Sequence, residues 1–320
     1  MLPTLFEVDI NGYPFGVHPY GLFILLAFCS AFIISHLRAL KVGIHPDRLA
    51  KVYVSAAVGG MAGGKILHAI VVAPQETMDN PMSLFSGAGF VVYGGVLGGT
   101  LAVAATAHVV GIPKWKLADL AAPAVVIGMS VGRIGCFFAG CCHGAIAPVG
   151  ANPLGLFPEG TLHGQAWLSA TAPFATLEFW DGVGDIHDAP LYPTQIWDAV
   201  LLMALVVFLN GMYKYRKFDG QIAAIGLMLQ PPIRIFVEAF RADPRGYAIA
   251  WEVSETVASW VPPGMKQAGG EVDVLMAGIT TSQAIGFVAM AGGAAMFALR
   301  RNAGVDPEVP ISEEELDELD

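Results

Sequence analysis

Seven stretches of the chain are apolar enough and long enough to cross a lipid bilayer: roughly 20–37, 53–73, 89–112, 118–140, 191–212, 220–240 and 276–299. Crossing the hydrocarbon core takes about 20 predominantly apolar residues. No water reaches the backbone there, so such stretches must satisfy their own N–H and C=O groups as helices. The expected fold is therefore an all-α polytopic membrane protein with about seven transmembrane helices joined by irregular segments. Charge content agrees with this. Only 14% of the residues are charged, against about 25% in a soluble domain.

The N-terminal residues carry no base ahead of the first apolar run, so that run is expected to stay as a span rather than be cleaved as a signal peptide. Orientation follows from Lys and Arg placement. Loops after the first, third, fifth and seventh stretches hold Arg38, Lys41, Arg48, Lys51, Lys114, Lys116, Lys214, Arg216, Lys217, Arg300 and Arg301. The opposite side holds only Arg241, Arg245 and Lys266, in much longer loops. This bias predicts an outside N-terminus and a cytoplasmic C-terminus. The net charge of −10 lies mostly in residues 304–320, which carry eight acids and no base. Residues 1–303 are then expected to form one transmembrane domain, followed by a disordered acidic tail over 304–320. Nothing resembles the basic surface that nucleic acid requires.

The long outer segments, about 141–190 and 241–275, mix Gly, Pro, Trp and acids without a sustained period. Their aromatic residues fit a headgroup-level belt as well as a substrate-capturing surface. The third and fourth spans are Gly-rich, which suits close helix approach or a packed site.

Three bases lie within spans: Lys65, Arg133 and Arg234. A charge at membrane depth costs a few kcal/mol or more, so it needs a partner or a purpose. Arg234 and Glu238 are one helical turn apart and share a face. They either pair as a staple between helices or belong to a site. Two guanidinium groups near one leaflet suit a phosphate, because the planar fork donates two parallel hydrogen bonds. Cys136, Cys141, Cys142 and His143 form a second cluster with three open readings: reduced thiols filling small gaps, a disulfide on an oxidising face, or a metal site. Their spacing is not a standard zinc pattern.

Several short elements follow one another along the spans. Tyr20-Gly21 opens the first span, and Gly63-Gly64-Lys65 stands in the second. Tyr93-Gly94-Gly95-Val96-Leu97-Gly98 stands in the third, and Gly132-Arg133-Ile134-Gly135-Cys136-Phe137-Phe138-Ala139-Gly140 closes the fourth. Tyr192-Pro193-Thr194-Gln195-Ile196-Trp197-Asp198 opens the fifth. Ile233-Arg234-Ile235-Phe236-Val237-Glu238-Ala239-Phe240-Arg241 ends the sixth, and Ser282-Gln283 begins the last.

In this order the elements resemble those of the prolipoprotein diacylglyceryl transferase family, and the resemblance implies transfer of a diacylglyceryl group from phosphatidylglycerol to the lipobox cysteine of an exported prolipoprotein, at the periplasmic side of the bacterial inner membrane and without a cofactor. It implies Arg133 and Arg234 as the phosphate-handling pair. Tyr20, Gly98, Gly144, Gln195 and Glu238 become phospholipid-binding residues, and Tyr93 stands at a catalytic position. The chain departs from the family pattern at four places. Tyr93 replaces a histidine, Cys136 an asparagine, Cys141 an acid, and Gln230 a tyrosine. His143 is either a replacement base for the substrate thiol or an ordinary boundary residue. Two rival readings share these residues: a phospholipid-binding, redox or metal-handling member without the transferase activity, and a transporter, for which no internal repeat argues.

Overall fold

Helices account for most of the described chain. The computed structural model describes residues 6–10, 13–17, 19–42, 44–80, 82, 89–139, 141–142, 144, 192–241, 247–254, 266–269 and 274–305. His143, most of the 141–190 segment and most of the acidic tail lie outside these residues.

The helices are α1 (Pro19–Ala39), α2 (Pro46–Val71), α3 (Pro74–Asp79), α4 (Val92–Val109), α5 (Lys114–Ala139), α6 (Thr194–Met212), α7 (Gln221–Glu238) and α8 (Thr281–Arg300). Among the described residues, five segments are long and apolar enough to cross a membrane: Pro19–Ala39, Pro46–Val71, Lys114–Ala139, Thr194–Tyr215 and Thr281–Arg300. Helices α4 and α7, of 18 residues each, stand where the other two spans were expected. Leu25, Val58, Leu101, Val207 and Val288 are each more than half exposed. In water such apolar faces would be a liability; against lipid they are solvated. The chain is a helical polytopic membrane protein.

Two parts depart from the expectation of irregular connections. Two short strands, β1 (Phe6–Ile10) and β2 (Tyr13–Val17), pair antiparallel, in register from Phe6↔Val17 to Ile10↔Tyr13. The segment after α7 contains β3 (Tyr247–Val253), β4 (Lys266–Gly269) and β5 (Val274–Thr280). These make an antiparallel sheet of order β3-β5-β4, with an irregularity in β3 between Tyr247 and Ile249. The sheet also corrects the start of the last span, expected at 276. Residues 274–280 pair as a strand, and the helix begins only where a cap is available. There the Gln283 N–H donates to Thr280 Oγ1 at 3.2 Å, and the Thr280 N–H donates to Gln283 Oε1 at 3.1 Å. This reciprocal box satisfies donors that a helix start would otherwise leave orphaned.

The chain divides into two compact units. One comprises Phe32–Ala121, Phe218–Gly220 and Ala303–Asp320. Its centre is the pairing of α2 with α4, lined by glycine on both sides. A methyl group at Gly63 would sit 2.3 Å from the Gly94 carbonyl oxygen, and one at Gly98 would sit 2.4 Å from that of Gly59. Gly59/Gly63 and Gly94/Gly98 each repeat at a four-residue interval, the spacing that lets membrane helices approach closely. In the same unit the buried Asp119 carboxylate accepts the Gly220 N–H at 2.9 Å.

The other unit comprises Met1–Ala31, Ala122–Lys217 and Gln221–Asn302. Ser130 of α5 donates to the Ala199 carbonyl of α6 at 2.7 Å. Helix α8 lies against α7, where Gly286 faces Pro231 and Gly293 faces the Ala224 carbonyl. Pro231 and Pro232 remove two backbone donors within α7, just before Arg234.

Candidate active site

Within that second unit, four helix ends supply the polar residues: the start of α1, the end of α5, the start of α6 and the end of α7. Their centre is a carboxylate. Asp198, in the first turns of α6 and 2% exposed, pairs with Arg133 of α5, its Oδ2 lying 2.7 Å from Arg133 Nε. The same oxygen lies 3.8 Å from Arg234 Nη1 of α7. Arg234 Nη2 in turn lies 2.5 Å from Glu238 Oε2, one turn further along α7.

Two guanidinium groups are thus held together by one acid, with a second acid behind. The arginine side chains are 17% and 12% exposed and the acids 3% and 2%. Like charges at such burial would repel strongly without the intervening carboxylates. Ser130 fixes its stretch of α5 against α6 at Ala199, next to Asp198. The charged residues therefore meet at a tied helix contact.

A thiol cluster follows Arg133 directly. The Sγ atoms of Cys136, Cys141 and Cys142 all lie within 4.8 Å of one another. All four cysteines of the chain are free, so the disulfide reading is not realised. The cluster is built by the loop after α5. Cys142 adopts a left-handed backbone, φ +65°. The first residues of α6 then hold the loop: Thr194 Oγ1 donates to the Cys142 carbonyl at 3.1 Å, and Gln195 Nε2 donates to that of Cys141 at 2.9 Å.

Hydrogen bonds with the Cys136 and Cys141 thiols, joined by the guanidinium of the buried Arg241, hold Cys142 well below the usual thiol range. The pairings with Cys136 and Cys142 push Cys141 in the opposite direction.

Gly144 closes this arrangement. Its N–H donates to the Tyr192 carbonyl at 3.0 Å, and it bridges to Arg241. A Cβ there would meet the Tyr192 carbonyl oxygen at 2.5 Å and the Phe240 carbonyl at 2.9 Å, so only glycine fits. At the start of α6 and the end of α7, Tyr192, Trp197, Phe236 and Phe240 pack ring against ring, with centroids 5.3 to 6.3 Å apart. Tyr20 of α1 places a ring carbon 3.7 Å from where a Cβ on Gly135 would stand, beside Phe23, which stacks on Phe138.

Of the residues singled out in the sequence, Arg133, Arg234 and Glu238 are brought together, with Tyr20 on the same stretch of α5. Gln195 and Gly144 serve the cysteine loop and the chain crossing beside it. Tyr93 and Gly98 belong to α4 of the other unit, where Gly98 is part of the glycine-lined contact and Tyr93 is exposed. Asp198 was not anticipated as a site residue. Its signal was an acid at the close of the Tyr192–Asp198 element, within an otherwise apolar run.

The chain matches the family described as prolipoprotein diacylglyceryl transferase over residues 7–299. It is 30% identical to the phosphatidylglycerol–prolipoprotein diacylglyceryl transferase of Clostridium tetani over 259 residues, covering 81% of this chain and 92% of that one. It is also 30% identical to the second such enzyme of Clostridium perfringens, over 79% of this chain and 90% of the relative. A Rhodopirellula baltica relative of the same name is 31% identical over 53% of this chain and 36% of its own length. With a family match spanning nearly the whole sequence, this chain belongs to the prolipoprotein diacylglyceryl transferase family.

Proposed function

We propose that the protein transfers the diacylglyceryl group of phosphatidylglycerol to the lipobox cysteine thiol of exported prolipoproteins and releases glycerol phosphate. The relatives from Clostridium carry that donor and acceptor in their names. Within this chain, the observation that carries the reading is the meeting of Arg133 and Arg234 on one oxygen of Asp198.

The geometry suits the reaction. Attack of a thiolate on the glycerol carbon forms a C–S bond and breaks the C–O bond, and the electron pair leaves with the phosphate. Charge on the phosphate rises as it departs. Arg133 and Arg234 are already gathered and largely desolvated, so they interact more strongly with the departing phosphate than with the bound diester. Asp198 and Glu238 offset the two positive charges before the lipid arrives and hold both forks in place. Tyr20, Gln195 and Gly144 frame the headgroup and the loop beside it. His143 is the candidate acceptor of the thiol proton.

We place this site on the periplasmic side of the bacterial inner membrane. With seven spans, the starts of the first and fifth and the ends of the fourth and sixth share one face. The Lys and Arg bias leaves that face outside. Transfer of labelled diacylglyceryl from phosphatidylglycerol vesicles to a lipobox peptide tests the reading. Arg133→Ala is expected to lower the rate roughly 10²–10³-fold. A rate unchanged by that substitution would remove Arg133 from phosphate handling.

A further inference from the structure

The thiol cluster beside Arg133 has no part in the reaction as set out above. We propose that Cys136, Cys141 and Cys142 form a three-thiolate zinc site whose fourth position takes the acceptor cysteine of the prolipoprotein and presents it as the nucleophile. This inference rests on the transferase reading and assigns the thiol-activating group within it.

Three observations support it. The first is distance. Zinc binds thiolate sulfur at about 2.3 Å, which in a tetrahedral set places sulfurs about 3.8 Å apart. Here the three Sγ atoms lie within 4.8 Å of one another, so about 1 Å of closure completes three corners of a tetrahedron. Consecutive cysteines rarely converge in an extended chain, where successive side chains alternate. The left-handed turn at Cys142 removes that alternation and brings adjacent sulfurs to one side.

The second is support from outside the cluster. Thr194 and Gln195 hold the carbonyls of Cys142 and Cys141, so the loop is fixed by α6 rather than by the thiols themselves. Three thiolates with one Zn²⁺ carry a net charge of −1. The buried Arg241 guanidinium, hydrogen-bonded to Cys142, supplies the balancing positive charge.

The third is position. Cys136 follows Arg133 by one helical turn on α5, so metal and phosphate-handling arginine share a face. Three protein ligands with one open position are the arrangement of a catalytic rather than a structural zinc. The chemistry then closes. The acceptor thiol gives up its proton on coordination, to the acceptor assigned above or to solvent, and keeps its sulfur lone pair for attack. The C–S bond forms, the C–O bond to phosphate breaks, and the glycerol phosphate that leaves takes up a proton in turn.

The test uses detergent-purified full-length protein stripped of metal. Zinc titrated against a chromophoric chelator is expected to bind at one equivalent per chain, and binding is expected to be lost in Cys136→Ser and Cys142→Ser. Because those variants could unfold, the wild-type protein loaded with cobalt(II) provides an independent reading. Its thiolate charge-transfer band is expected to shift when a lipobox peptide is added, and to stay unchanged with the same peptide carrying serine for cysteine. Absence of stoichiometric zinc, full transfer by the stripped enzyme, or a cobalt spectrum indifferent to the cysteine peptide would each overturn the proposal. Zinc binding with no transfer from phosphatidylglycerol would instead remove the transferase reading, so the two failures are distinguishable.

Discussion

Helices α2 and α4 are held together by the absence of side chains, whereas α5, α6 and α7 are held by charge. In the first pair, carbonyls of one helix lie where the other helix has only hydrogen. In the second set, one carboxylate bridges two arginines from different helices. Lipid does not drive helices together as water does, so close packing and polar contacts carry association. The two contacts therefore fail in different ways. A glycine-lined contact is sensitive to volume and indifferent to charge. The arginine–carboxylate contact is sensitive to charge, and only it can respond to an anionic ligand.

The largest effect is expected at Asp198. Asp198→Ala leaves Arg133 and Arg234 facing each other without the shared acid. Removing one partner of a buried ion pair costs about 3–5 kcal/mol. Thermal unfolding in detergent should show a correspondingly large loss. Added phosphate or anionic lipid should restore part of it, since an anion can take the vacated place. Stability within about 1 kcal/mol of wild type would mean that the acid does not hold the arginines together.

A smaller effect, independent of anions, is expected in the glycine contact. Gly98→Ala forces a methyl group to within 2.4 Å of the Gly59 carbonyl. Overpacking of this kind costs about 1–3 kcal/mol. Gly132→Ala is the control. It adjoins Arg133 in the sequence, yet a Cβ there meets nothing within 4 Å. Replacing a helix glycine by alanine at an open position should be neutral or stabilising, by about 0.5–1 kcal/mol. If both substitutions behaved alike in an unfolding assay, the difference between the two contacts would not exist. Gly98 also bears on its role in lipid handling. A packing role moves stability first, whereas a phospholipid-binding role moves the apparent affinity for the donor.

The helical spans were legible because membrane depth imposes a simple rule, a long apolar run, and because charges within such runs are rare. Arg133, Arg234 and Glu238 stood out for that reason. Asp198 did not, because its importance comes from two arginines supplied by other helices, a relation no local pattern encodes. The β3-β5-β4 sheet was missed for a related reason. Its strands pair across chain segments rich in Gly and Pro, and residues 274–280 are apolar enough to read as the start of a span. The pairing of β1 with β2 has a local signal in the sequence, since Asn11-Gly12 between two strand-forming runs favours a tight connection. Tyr93 and Gly98 show the opposite limit. A motif can mark a position as belonging to a site, while this structure documents a helix contact for one and an exposed ring for the other.

The finest test separates loop positioning from lipid binding at Gln195. Its amide donates to the Cys141 carbonyl. Gln195→Leu removes that bond but keeps much of the volume. Cys141 is exposed, so water can replace the lost donor, and the stability cost should be only about 1 kcal/mol. The sharper readout is the cysteine loop itself. With its clamp gone, alkylation of the thiols by a soluble maleimide should accelerate, and the rate of transfer should fall at saturating phosphatidylglycerol. If Gln195 instead bound the headgroup directly, the apparent KM for phosphatidylglycerol would rise while thiol reactivity stayed constant. Only the first pattern ties the start of α6 to the thiol cluster rather than to the lipid, extending the charge-held region by one more polar contact that the glycine-lined pair does without.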